Sequence, residues 1–582
     1  LNDTVLILGG YGVFGARLAA ALAQDPSWRV IIAGRSATKA RAAAAGLRAE
    51  PLALDRDAPD LAARLADLAP FAVVDAAGPF QAYGADPYRL ARASLAAGAH
   101  YLDLSDDGAF TDGIALLDPL ARAAGRVALS GVSSVPALSS AAVAELSQGM
   151  EDIHLIEGTI LPGNRAPRGL SVVRAILAQA GRPVRQWRGG AAADLPGWSG
   201  TRSLSLALPG ARLPPRPASL IGAPDTRLFP ARFGARSVIF RAGLELRLMH
   251  HSLAFLALPV RLGLVRDITP LARPLRWLAD RLRPFGSDRG GMRVRVAGLA
   301  SGRPVRRDWV LLARAGDGPE VPAIPARVAL SLLRQGRLPP GARPCIADLP
   351  LADLEAALAT HAIRTGRAEA PAPGLFAQAL GPGFDRLAPA IQDLHQLFDL
   401  RRWEGEAEIT RGKSILARLI CRAFGFPPAA PAVPVRVTME RDGKTERWTR
   451  DFGGRRFRSV LRLHRGRMTE RFGPFTFTLD LAEKDGRLHF PVRTGRIGPL
   501  PLPRRLLPVS TTSERVEGGR LRFDVALSLP LAGPLVHYRG WLAEAPQPQR
   551  QPQPQPQPQP DGAAAPPPLA RLRSRRGSSG SP

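Results

Sequence analysis

Gly10, Gly12 and Gly15 stand in G-x-G-x-x-G spacing between the apolar run 4–8 and the alanine-rich stretch 16–23. The chemistry such a trio serves is phosphate binding. The first glycine permits a tight turn, the second lets backbone approach a pyrophosphate, and the third lets a helix pack closely on the preceding strand. The helix that follows presents N–H groups with no intrahelical partner, and a partial positive charge, to the phosphates. The flanking stretches must supply this geometry. A short apolar run bounded by glycine predicts a buried strand, and the Ala/Leu stretch predicts a helix.

Residues 29–36 predict a second buried strand ending in a polar turn. The residue at that end selects the dinucleotide, because an acid bonds a ribose 2′-hydroxyl whereas an arginine accommodates a 2′-phosphate. Arg35 holds the place, with Ser36 beside it and Lys39 and Arg41 one turn on. NADP(H) is therefore expected over NAD(H). Further helices at 39–47, 60–68 and 87–97 alternate with strands at 51–55, 71–75 and 100–104. This alternation predicts a parallel sheet with right-handed crossovers and ligands at the carboxyl ends of its strands. Ala76, Ala77 and Gly78 lie at one such end, small enough to leave room for a ribose or nicotinamide.

Four segments together resemble the saccharopine-dehydrogenase-like oxidoreductases: GGYGVFG at 9–15, AAGPFQAYG at 76–84, HYLDLS from His100, and GVSSVP at 131–136. The resemblance spans about the first 350 residues. It implies a Rossmann NADP-binding domain at 1–135, then an α+β substrate and dimerisation domain at 136–350, with a homodimer as the assembly. The cofactor positions it carries over are Gly10, Tyr11, Gly12, Val13, Phe14, Gly15, Arg35, Ser36, Asp55, Ala77, Gly78 and Pro79. The implied reaction is hydride transfer to or from a carbonyl or imine carbon of an unidentified small molecule. Saccharopine reductases carry acidic residues where Ser133 and Ser134 stand, which argues against saccharopine as the substrate. Proton-handling groups should sit at the strand ends, which makes Asp103, Ser105, Asp106 and Ser133 the catalytic candidates. A second reading stays open: a non-catalytic NADP(H)-binding, redox-sensing protein whose C-terminal domain binds a ligand or partner.

Beyond residue 152 the pattern changes. A strand at 153–161, a polar loop at 162–169 and a helix at 170–180 precede a Gly/Pro/Arg-rich region, 187–217, that predicts loops and short strands. A strand at 237–240, a hairpin of 292–296 with 309–313, and a helix at 326–335 follow, closing the first part near Arg343. Residues 351–373 predict a helical linker ending in breakers. Residues 374–545 predict a C-terminal α+β domain, in which helices near 375–379 and 413–424 cover a one-sided antiparallel sheet of period-two strands with Asp442-Gly443 and Asp485-Gly486 turns. This part resembles a bacterial domain of unknown function found fused to saccharopine-dehydrogenase-like modules. Residues 546–582, a Pro/Gln/Arg tail, predict disorder.

The net charge of +29 over 582 residues invites a nucleic-acid reading. However, the excess is arginine scattered along the chain, with only Lys39, Lys413, Lys444 and Lys484 as lysines. That is the composition of GC-rich coding sequence, and no specific nucleic-acid partner is expected. The two cysteines, Cys345 and Cys421, have no metal or C-x-x-C spacing, and the adjacent His250 and His251 project from different sides of a helix, so no metal is expected. The longest apolar stretch, 253–265, is shorter than the about 20 residues a spanning helix needs. No transmembrane segment is expected, although a short apolar helix among arginines can lie in a bilayer interface. With no room for a signal peptide before the first strand, the expected location is cytoplasmic or peripheral to a membrane.

Overall fold

The computed structural model describes residues 3–167 and 169–546. The expected disordered tail lies outside the described residues from position 547 onward. The first module runs β1 (Asp3–Leu8), α1 (Gly15–Ala23), β2 (Trp28–Gly34), α2 (Ala37–Ala44), β3 (Ala49–Ala53), α3 (Leu61–Leu68), β4 (Ala72–Asp75), α4 (Arg89–Ala96), β5 (His100–Asp103), α5 (Gly108–Gly113), α6 (Asp118–Ala123), β6 (Val127–Ser130) and α7 (Ser139–Leu146). Its strands are parallel in the order β3-β2-β1-β4-β5-β6, with the reversal of winding between β1 and β4. Val5, Ile7, Val30 and Ile32 enter one core while Leu6, Leu8, Ile31 and Ala33 enter another. Both faces are thus covered, which is why these strands are continuous apolar runs rather than alternating ones.

The second module comprises β7 (Asp152–Leu161), α8 (Leu170–Gln179), β8 (Pro183–Arg188), β9 (Ala191–Pro196), β10 (Arg202–Leu208), β11 (Ala211–Leu220), α9 (Pro224–Phe233), β12 (Ser237–Gly243), α10 (Arg247–Arg261), α11 (Ala272–Arg281), β13 (Gly290–Ala300), β14 (Arg303–Ala313), α12 (Ile324–Arg334), β15 (Gly341–Pro344), α13 (Leu351–Leu358) and β16 (Ile363–Pro371). A mixed sheet runs β10-β11-β12-β7-β13-β14-β16, with the β8–β9 hairpin attached to β12. The region expected as loops and short strands is therefore largely regular sheet. Its period was masked by Pro214 and Pro215, which are accommodated where the register of β10 on β11 shifts between Leu204 and Leu206. The expected linker is likewise overturned: residues 351–373 form α13 and then β16, which pairs along β14. An edge strand with Arg364, Arg367 and Glu369 toward solvent offers little apolar alternation to read.

The first part, expected to close near Arg343, instead continues: residues 341–344 form a strand of the first sheet. β15 pairs in parallel with β6 and becomes the seventh strand of the first sheet. α12 packs on α1, and Arg334 lies over the Trp28 ring at 3.2 Å while bonding Asp3 at 2.9 Å. Val294, Trp309 and Leu311 of the second sheet share one core with Val5, Leu18 and Leu330. The stretch 253–265 covers the C-terminal half of α10 and its exit, where Phe255, Leu262 and Leu264 are exposed. Among the described residues no helix is long and apolar enough to cross a membrane.

The third module contains α14 (Leu375–Leu380), α15 (Pro389–His395), β17 (Leu400–Arg411), α16 (Ile415–Ala423), β18 (Ala430–Asp442), β19 (Thr445–Phe452), β20 (Arg455–His464), β21 (Arg467–Phe472), β22 (Phe475–Leu479), β23 (Ala482–Lys484), β24 (Arg487–His489), β25 (Val492–Ile497), β26 (Leu500–Pro501), β27 (Val509–Ser510), β28 (Ser513–Glu517), β29 (Arg520–Leu529) and β30 (Gly533–Glu544). All fourteen strands form one antiparallel sheet, and Asp485 and Gly486 both take the positive φ that a two-residue hairpin turn requires. The helices pack against it, but the sheet is not simply one-sided. It curls until strands from both halves line one interior. Ion pairs seat this module on the second: Arg188 with Asp399 at 2.8 Å, Arg202 with Asp442 at 2.8 Å, and Arg236 with Glu544 at 2.8 Å.

Candidate dinucleotide site

Parallel register sets Leu8 level with Asp75, and Asp75 level with Asp103. The turns that leave β1, β4, β5 and β6 consequently share one edge of the sheet, on either side of the winding reversal where ligands of such folds bind.

In the first turn the glycines have unequal work. Gly9 takes φ +78°, and a Cβ there would lie 2.6 Å from the Ala77 Cα. A Cβ on Gly15 would lie 2.4 Å from the Gly9 carbonyl oxygen, and one on Gly10 would lie 2.9 Å from that of Ile7. Gly12 is different: a Cβ there meets only the Gly9 oxygen at 3.0 Å and the Ala76 oxygen at 3.9 Å. The protein's own packing scarcely requires Gly12, so the space beside it is free for a ligand. Phe14 gives α1 no side-chain cap, and the amides of Val13, Phe14 and Gly15 have no acceptor among the described residues. Arg17 braces the loop, donating to the Val13 carbonyl at 2.6 Å and pairing with Glu320 at 2.9 Å.

Tyr11 lies across the end of β2. Its ring occupies the place a side chain would need at Gly34, and its hydroxyl accepts from the Ser36 amide at 3.4 Å. Ser36 caps α2 by accepting from the Lys39 amide at 3.3 Å. Arg35 is exposed and has no carboxylate partner among the described residues. Asp55 closes a turn onto the Asp57 amide at 3.1 Å, and the Ala77 amide donates to Asp75 at 3.0 Å. Gly78 and Pro79 continue that turn at the sheet edge. An open cradle, unpaired amides and an exposed guanidinium together fit a nicotinamide dinucleotide.

Behind this turn lies a group that motif reading passes over. Asp75 is fully buried, accepts from the Tyr83 hydroxyl at 3.0 Å, and is pushed by burial up to about 6 despite these bonds. Arg56 covers the Tyr83 ring at 3.5 Å and donates to the Tyr83 carbonyl at 3.1 Å. The available signal was one carboxylate ending an otherwise apolar strand, a position that needs a partner from elsewhere in the chain.

The four proton-handling candidates share the same edge but differ in freedom. Asp103 is fully buried, and its Oδ1 accepts from the amides of Ser105 at 3.0 Å and Gly131 at 2.8 Å and from Ser130 Oγ at 2.9 Å. Its Oδ2 has no partner, and burial, with Asp75 adding to it, lifts the carboxyl to about 7. Ser105 Oγ accepts from the Asp107 amide and the Thr111 hydroxyl, both at 3.1 Å. Ser133 donates to the Pro322 carbonyl at 3.2 Å. Asp106 alone stands open at the rim, with Gln81 donating to it at 3.4 Å. A fifth acid comes from the second module. Asp225 in the first turn of α9 is buried, keeps Oδ1 unpartnered, and is raised by burial to about 7. Sequence gave no sign of it, since an acid at a helix start is ordinarily a solvated dipole partner.

Asp103→Asn keeps the Oδ1 acceptor and should be close to neutral in stability, whereas Asp103→Ala leaves three buried donors unpaired and should cost roughly 3 kcal/mol in denaturant unfolding. Asp103 is held above its unfolded range, so ionising it opposes folding. Stability should therefore fall between pH 4 and 7 and fall less steeply in Asp103→Asn.

Residues 5–129 match the saccharopine dehydrogenase NADP binding domain, and residues 387–542 match a domain of unknown function, DUF4166. The NADP binding domain match falls within the first module and supports a nicotinamide dinucleotide as its cofactor. Solved structures similar to the chain include apo saccharopine dehydrogenase (L-Glu forming) from Saccharomyces cerevisiae, at 16% identity and TM-score 0.48 over 63% of this chain and 100% of that one. GenD2 from gentamicin A biosynthesis in complex with NAD matches at 16% identity and TM-score 0.29, over 64% of this chain and 97% of that one. Biliverdin reductase from Synechocystis sp. PCC 6803, with biliverdin and NADP+, matches at 12% and 0.29, over 61% and 95%. With TM-scores below 0.5, these likenesses carry nothing further about this chain. No curated protein matches the chain. The matched segment carries the turn, Arg35 and the Asp75–Tyr83 pair, while β15 completes the sheet from beyond it.

Proposed function

We propose that the protein is an NADP(H)-dependent oxidoreductase that moves hydride to or from a carbonyl or imine carbon of a small molecule. The observation that carries this reading is the space left beside Gly12, under unpaired amides at the winding reversal, with Arg35 exposed at the end of β2. The amides of residues 13–15 would hold the pyrophosphate, and Arg35, backed by Lys39 and Arg41, the 2′-phosphate. Ala76, Ala77 and Gly78 leave room beside β4 for the nicotinamide, which supplies the hydride. Asp106, at the rim, is the residue placed to exchange a proton with the substrate, and Asp103, raised toward neutrality, is the next in line. In this division the first module, completed by β15, binds the dinucleotide, the second module through β16 brings the substrate, and residues 374–545 form a third unit seated on the second.

Calorimetric titration with NADPH and NADH tests the cofactor, and NADPH oxidation against ketones, imines and aldehydes tests the reaction. Arg35→Asp should weaken NADPH by roughly 10- to 100-fold, as loss of a charge-assisted contact predicts, and leave NADH little changed. Equal losses would assign the 2′-phosphate to another residue. Tight binding with no turnover on any substrate class would instead favour the redox sensor.

A further inference from the structure

The curled sheet of the third module encloses an apolar cavity that the dinucleotide reading does not use. About 290 Å3 of it is open to the centre of a water molecule. It is lined by residues of β18, β19, β21 and β22 and by β29 and β30, with Ile420 of α16 and Phe424 just past that helix. Protein interiors pack to crystal density, so an apolar void of this size is not a by-product of folding a sheet. Its walls show the same deficit. Phe475, Phe477, Val525, Leu527 and Leu529 line the cavity, yet each remains only half-buried. Apolar side chains lining an interior without being covered mark a space that another apolar body fills.

The polar groups on the wall narrow the class of ligand. Arg450 is neutralised by Glu470 at 3.3 Å and bonds Ser459 at 2.9 Å, while Glu514 is paired with the buried His395 at 2.6 Å. Ser510 and Thr512 bond each other at 2.6 Å. No charged wall group among these is left to meet a phosphate, a sugar or an amino acid. Tyr538 is on the wall, with Arg450 and Glu470 close by, and its hydroxyl makes no hydrogen bond among the described residues, so it has a donor to offer. Leu506 both lines the cavity and is 46% exposed, which marks an opening. Beside Leu506 in the chain, Leu500 and Val509 are exposed too.

We propose that this cavity binds a lipid with one long hydrocarbon chain, acyl or isoprenoid, ending in a small polar group that accepts from Tyr538. The chain lies against the aromatic and aliphatic walls, and the apolar lip eases its passage from a membrane or carrier. This assignment stands independently of the dinucleotide site.

Fluorescence titration of the full chain with cis-parinaric acid, for acyl chains, and with retinol, for isoprenoids, tests it. Saturable emission at one site per chain is expected for at least one probe, and which probe binds identifies the source. Val525→Trp fills the cavity and should weaken that probe by roughly tenfold or more without shifting the thermal transition; Leu527→Phe is the milder filling variant should the first fail to fold. Leu416→Ser, on the outer face of α16, should leave the titration unchanged. The proposal is overturned if neither probe gives a saturable signal. It is equally overturned if a folded filling variant binds as tightly as the parent, or if the signal follows Leu416 instead, which would place the probe on the surface.

Discussion

Gly12→Val should leave the protein folded while lowering NADPH affinity by roughly 100-fold or more, about 3 kcal/mol. The two halves of that expectation come from one measurement of space. A Cβ at position 12 needs the Gly9 carbonyl, 3.0 Å away, to yield by a few tenths of an ångström, and beyond it meets nothing closer than 3.9 Å. The added methyl groups would then stand where the pyrophosphate has to reach the amides of the turn. Gly15→Ala is the contrasting case. Its Cβ would lie 2.4 Å from the Gly9 oxygen and 3.0 Å from the Gly10 Cα, so the turn itself must move and stability should fall. Calorimetric titration beside thermal unfolding separates the two. A folded Gly12→Val protein that binds NADPH as tightly as the parent would show that the dinucleotide does not cross this loop.

The largest stability effect is expected far from that loop, at Glu157 on β7. It is 3% exposed, bonds Arg293 at 2.9 Å and Arg241 at 3.2 Å, and has Arg202 at 3.6 Å. Burial pushes its carboxyl up, but Arg293, Arg241, Arg295 and Arg202 more than reverse this and hold it at about 2. Glu157→Gln leaves buried guanidiniums without their counter-charge, which should cost about 3–5 kcal/mol and lower the thermal midpoint by roughly 10 °C. The folded carboxyl ionises below its unfolded range, so this stabilisation is present above about pH 4.5 and is lost as pH falls toward 2. The variant should lack that part of the acid limb. Arg241 runs the other way, since burial and Arg202 hold it down to about 10. The cluster's net worth is accordingly smaller than Glu157 alone implies, and replacing Glu157, Arg241 and Arg293 together by apolar residues should be milder than Glu157→Gln. Scanning calorimetry across pH checks both statements, and NADPH affinity should be unaffected.

Legibility followed the range of the interactions. β1, β2, β4 and β5 are apolar on both faces and bounded by turn residues, so local pattern was enough to find them and to place Gly10, Gly12, Gly15 and Arg35 at their ends. Local pattern failed where a distant partner decides. β16 is a strand because β14 offers it a ladder, and β11 tolerates its prolines because the register on β10 shifts around them. Asp75, Tyr83 and Arg56 become one group only after β4 has been set beside β1, and Asp225 matters only because α9 lies against α5 and α7. In the third module the period of two was plain in Phe475, Phe477 and Leu479. What no alternation encodes is whether the apolar side meets another wall or a void.

The return of β15 to β6 makes the nucleotide-binding unit discontinuous along the gene. A fragment cut at residue 135 would lose the strand contributed by Gly341–Pro344 and the buttress that α12 sets on α1. It would bare one side of Val127–Ser130 as a raw hydrogen-bonding edge, an invitation to self-association. Anyone transplanting this unit into a chimaera must therefore carry both separated pieces, joined where the intervening lobe now departs and re-enters.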